Sequence, residues 1–178
     1  DLLEEDLDSE SLSKILELVE ENVSSDHYAH EIMKKVIQEQ ELTGKSLETF
    51  IEGLESINSD HYLMEVIKRF GANRSLTESQ MLKILEATKN ISSDHYHAST
   101  LVILAPRVRA LGGRVVSAYR EAAKSIGSDT YYGKALKALD RWQAAAFLYL
   151  TLMKPYMQKH VLIPTIGMAL AFLLYTYL

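Results

Sequence analysis

Apolar positions over the first 140 residues recur at helical spacing, and they do so four times in one register. The marker of that register is Ser-Asp-His-Tyr at 25–28, 59–62 and 93–96, with Ser-Asp-Thr-Tyr at 128–131. Successive markers are therefore 34, 34 and 35 residues apart. Nine residues before each serine stand Leu16, Phe50, Ile84 and Tyr119; two before it stand Val23, Ile57, Ile91 and Ile126. After the serine, tyrosine is constant at the third position (Tyr28, Tyr62, Tyr96, Tyr131). Apolar residues follow at the eighth (Met33, Ile67, Leu101, Leu136) and the eleventh (Val36, Phe70, Leu104, Leu139). Offsets of three, eight and eleven trace one face of a 3.6-residue helix. Each unit thus reads as two amphipathic helices, A before the marker and B after it, joined by a short turn. The serine is expected to cap helix B by accepting from its free N–H groups, and the aspartate to meet the positive end of its dipole. Gly44, Gly71 and the Pro106 to Gly113 stretch mark the reversals between units.

A lone pair of short helices cannot bury its apolar face, whereas four stacked pairs make a continuous core. The expected fold is all-α: an α-solenoid of four helical-hairpin repeats of about 34 residues, followed by a hydrophobic, transmembrane C-terminal helix. The predicted units are 11–44, 45–75, 76–112 and 113–140, preceded by an acidic segment 1–10. A four-helix bundle would not need the same tetrapeptide four times. The period matches tetratricopeptides, but their Trp-Leu-Gly-Tyr pattern is missing from helix A; HEAT-like pairs fit better.

Composition changes the picture mainly by exclusion. The 178 residues are 47% apolar and 24% charged, ordinary for a folded chain, and contain no cysteine. Disulfides, thiolate metal sites and cysteine nucleophiles are therefore excluded together. Charge is uneven along the chain: residues 1–60 hold 17 acids and four lysines, and residues 61–178 hold 7 acids and 15 bases. Head-to-tail contacts or a basic partner would exploit such polarity. The basic part has no arginine cluster with interleaved aromatics, so nucleic acid is not an expected partner.

No catalytic constellation emerges. His27, His61 and His95 hold one equivalent position, with Thr130 in the fourth unit. Packed helices lie about 8–10 Å apart, so histidines in successive units are too widely spaced to share a zinc bound at about 2.0–2.1 Å per nitrogen. His95 and His97 point to different faces of a helix, and His27 with His30 makes half a site at most. His30-Glu31-Ile32-Met33 is followed by Lys34, so the H-E-x-x-H zinc signature lacks its second ligand. No catalytic residue, metal, cofactor or small-molecule substrate is expected. The predicted contacts with a protein partner are Asp26, His27, Asp60, His61, Asp94 and His95, on a concave face lined by one set of helices.

The stretches EATKNISSDHYHASTLVILAP (86–106) and REAAKSIGSDTYYGKALKALD (120–140) give the fullest form of the repeat. It resembles the helical repeats that accompany bacterial membrane metallopeptidases of the β-lactam-sensor type, over about three quarters of the chain. The resemblance implies a structural or sensory module beside a membrane, commonly outside the cytoplasm; it carries over no active site. A sensory or regulatory domain of such a peptidase system, with a weak histidine-based metal site, is the alternative reading.

Beyond Asp140 there is not one acid. Residues 142–153 are uncharged and mostly apolar, Lys154 and Lys159 interrupt, and Val161 to Leu178 runs apolar to the end. Eighteen helical residues span about 27 Å, close to the hydrocarbon core of about 30 Å. The expected anchor is 161–178, including Val161, Phe172 and Leu174, with Tyr175, Tyr177, Tyr156 and Trp142 at the interfaces. Segment 141–160 then serves as helix extension and basic turn. A single crossing puts the repeats in the cytoplasm by the positive-inside rule. A hairpin of both apolar stretches puts them outside, as the resemblance implies, in a bacterial inner membrane. Met153-Lys154-Pro155 through Leu178 also has the order of an N-terminal signal anchor, and the chain starts at Asp1. The expectation is a processed or partly represented chain whose numbering departs from gene order. The expected function is a membrane-anchored helical-repeat scaffold that binds a protein partner, as an accessory subunit of a larger membrane complex.

Overall fold

A computed structural model describes Leu3, residues 5–72 and residues 76–141. The anchor expected at 161–178, segment 142–160, and the residues Trp142, Tyr156, Val161, Phe172, Leu174, Tyr175 and Tyr177 lie outside the described residues. Among the described residues all regular structure is helical. In chain order these are α1 (Ser9–Asn22), α2 (Asp26–Glu39), α3 (Gly44–Glu52, continued by a 3-10 turn Gly53–Ser56) and α4 (Asp60–Ala72). They are followed by α5 (Glu78–Thr88), α6 (Asp94–Leu111), α7 (Gly113–Ala123) and α8 (129–141). The fold is all-α. None of these helices is long and apolar enough to cross a membrane.

The order of contacts follows from the repeat. Helices preceding the markers touch in succession, α1 on α3, α3 on α5 and α5 on α7. Those following the markers do the same, α2 on α4 and α4 on α6. The residues in repeat register are the ones between them: Leu16, Phe50, Ile84 and Tyr119 are buried, as are Val36, Phe70, Leu104 and Leu139. Phe50 and Phe70 meet with ring centroids 4.8 Å apart. Burying each such side chain stabilises the fold by about 1.5–3 kcal/mol. One continuous core cluster runs from Leu3 to Leu139.

Local chemistry sets the helix ends. Asp8 accepts from the backbone N–H groups of Glu10 and Ser11 at the start of α1. Thr77 and Gln80 exchange side chain to backbone bonds at the start of α5. The acidic segment is tied down by Gln40, whose amide donates to the carbonyls of Leu3 and Glu5 and accepts from the N–H of Leu7. The reversal expected within the Pro106 to Gly113 stretch falls at its Gly112–Gly113 end. Pro106 sits inside α6, which continues to Leu111. The turn is made by Gly112 and Gly113, both at positive φ (65° and 45°), a region that L side chains rarely adopt. Pro106 is exposed, so its ring lies on the solvent side of α6.

Candidate functional site

The four markers line up on one edge, and their residues divide the work differently from the sequence expectation. Ser25 and Ser93 occupy the N-cap positions of α2 and α6, but neither makes a side-chain capping bond. The aspartate beside each serine is the acceptor, and it reaches into the next unit. Asp26 Oδ1 accepts from the N–H of Asn58 at 3.0 Å. Asp60 accepts from Ser92 at 3.0 Å and Ser93 at 2.7 Å, one N–H per carboxylate oxygen. Asp94 repeats this with Gly127 at 2.9 Å and Ser128 at 2.8 Å. The donors are the residues just before the next helix B, so the aspartate of one unit fixes the turn of the following one. Each lies at the first residue of its own helix, where the dipole favours negative charge.

The histidines and tyrosines build a second continuous feature. His27 contacts Tyr28 in its own unit (5.4 Å between centroids) and Tyr62 in the next (5.7 Å). His61 does the same with Tyr62 (5.5 Å) and Tyr96 (5.7 Å), and His95 with Tyr96 (5.2 Å) and Tyr131 (5.6 Å). His27 Nδ1 also shares a 3.2 Å hydrogen bond with the Tyr62 hydroxyl. Rings therefore alternate along the edge as Tyr28, His27, Tyr62, His61, Tyr96, His95, Tyr131. The three histidines are exposed. Tyr62, Tyr96 and Tyr131 are half-buried and pack on the core.

Of the six predicted contact residues, the structure thus brings all onto one edge, but engages the aspartate carboxylates with the chain's own backbone. The histidine rings are what remains presented to solvent. Successive histidines touch a common tyrosine. Among the described residues no three His, Asp or Glu side chains are placed to hold a metal ion.

Two histidines outside the marker position are buried. His30 stacks on Tyr62 (4.8 Å, 24° between planes), and burial outweighs the nearby Glu31 to push its pKa down. His97 is 1% exposed; burial lowers its pKa against the opposing pull of Asp94 and Asp60. Its Nε2 has no hydrogen-bond partner among the described residues, and its Nδ1 lies 3.5 Å from Ser125 Oγ. Sequence reasoning placed His97 on a different face from His95 without foreseeing this burial. The available signal was its register: the equivalent positions hold Ala29, Leu63 and Tyr132, an apolar set. No family model, curated protein or solved structure matches the chain.

Proposed function

We propose that the chain is an α-solenoid scaffold, stacked from four helical hairpins, that holds a protein partner on the exposed histidine–tyrosine edge. The observation that carries this reading is the alternating row of rings spanning all four units, with its histidines open to solvent. Aromatic rings with a polar tip are suited to interfaces, because they bury large area at low entropic cost while keeping a hydrogen-bonding group. The resemblance to repeats beside bacterial membrane peptidases, and the acid-free apolar sequence after Asp140, support an accessory role in a membrane complex. No catalytic or cofactor role is part of the proposal.

The test compares full-length protein purified from native membranes with a variant carrying His27→Ala, His61→Ala and His95→Ala. A partner recovered in stoichiometric amount with the natural chain and lost with the variant supports the scaffold. Equal recovery with both moves recognition off this edge. Anchoring is tested separately: the full chain is expected to require detergent or lipid, and a full chain that stays monomeric in plain buffer contradicts it.

A further inference from the structure

The joints between units supply a template for what the two end faces of the described stack lack. At an interior joint, an aspartate accepts from the turn of the following unit, and a histidine covers the following tyrosine. At the first unit the turn residues Ser24 and Ser25 donate to no acceptor among the described residues. Tyr28, with no histidine of a preceding unit beside it, is 64% exposed. Ile32 is only partly buried, whereas its counterparts Val66, Thr100 and Ala135 are at 0%. At the fourth unit the mirror image holds. Asp129 stands where Asp94 stands, is exposed, and accepts from no donor among the described residues. Tyr132 and Leu136 are partly exposed at positions where Leu63, His97, Ile67 and Leu101 are buried.

We propose that a second copy of the chain docks head to tail on this end, its Ser24–Ser25 turn on Asp129 and its Tyr28 and Ile32 on Tyr132 and Leu136. The contact reuses the bonding of the interior joints, in which charge-assisted hydrogen bonds to a carboxylate are the strong element. Because the two patches differ, the association is heterologous and does not close at two copies. It concerns the end faces and a second copy, not the histidine edge and its partner, so the two readings fail separately.

The absence of cysteine makes cross-linking a clean test. At the interior joint a Cβ built at Gly127 lies 3.6 Å from Asp94 Oδ2, and Ser24 holds the position equivalent to Gly127. Only the carboxylate oxygens of Asp94 lie within 4 Å of that Cβ, whereas a direct disulfide needs Cβ atoms about 3.5–4.5 Å apart, so the joint is bridged with a short thiol-reactive reagent that carries a cleavable disulfide spacer. Full-length chains carrying Ser24→Cys or Thr130→Cys, an exposed position that leaves Asp129 in place, are treated with that reagent in mild detergent, singly and mixed. The mixture is expected to give a reducible dimer far above either chain alone, and the doubly substituted chain a ladder of higher species. In parallel, Asp129→Arg is expected to weaken concentration-dependent association about tenfold, the size expected for charge-assisted bonds. Cross-linking no better in the mixture than in its components, or association unchanged by Asp129→Arg, overturns the proposal. Either result is what docking through residues 142–178, or coverage of the α8 end by those residues, would produce.

Discussion

Asp60 holds two backbone N–H groups of the next unit, one on each carboxylate oxygen, so Asp60→Ala strands both donors at once. Hydrogen bonds to a charged acceptor contribute about 1.5–3 kcal/mol, and a loss near that size is expected in urea unfolding. Ser93→Ala is expected to cost less than about 0.5 kcal/mol, below the ~1 kcal/mol of a working N-cap, because its hydroxyl makes no capping bond. The reverse ranking would return the capping role to serine. His97 gives a pH signature. Its folded pKa lies below the ordinary 6.5, so the unfolded chain binds the proton more readily. Stability is therefore full above 6.5 and falls as the pH drops below that value and through the folded pKa. His97→Leu, which places in unit three the residue found at Leu63, is expected to flatten this part of the profile without loss at pH 7.5. A variant that keeps the acid slope would assign it to other groups.

At the scale of elements, Pro106 is a cost rather than a boundary. An interior proline removes one helical hydrogen bond and opposes the preceding turn, by about 3 kcal/mol in an unstrained host. Pro106→Ala is expected to raise the melting temperature of the chain. A lower melting temperature would mean that the kink is needed for α6 to meet α4 and α7. This position also shows the limit of reading elements from sequence. Helix pairing was legible because a fixed apolar register every 34 residues has few other physical causes. The break itself was legible, since the expected boundary at 112/113 falls on the Gly112–Gly113 turn; that α6 runs on through Pro106 was not, because a proline reads as a breaker in isolation. The turn chemistry was half legible. Ser-Asp announced a helix start, but local rules assign the serine to its own helix. That the neighbouring aspartate reaches about 33 residues ahead depends on how the units approach one another.

For the whole molecule, the repeat accounts for the edge on which Asp26, His27, Asp60, His61, Asp94 and His95 gather, and sequence alone placed them there by equivalence. It did not separate the aspartates, which are joints, from the histidines, which are presented; that distinction needs three-dimensional neighbours. The aspartates of the first three markers each bind the turn before the next marker's helix, and on this the account rests. Amide hydrogen exchange, read residue by residue by NMR on the full chain, tests it most directly. The N–H groups of Ser92, Ser93, Gly127 and Ser128, all outside regular helix, are expected to exchange at least about tenfold more slowly than those of Ser24 and Ser25. Asp60→Ala should release Ser92 and Ser93 while leaving Gly127 and Ser128 protected. Fast exchange at all four in the natural chain would contradict the account.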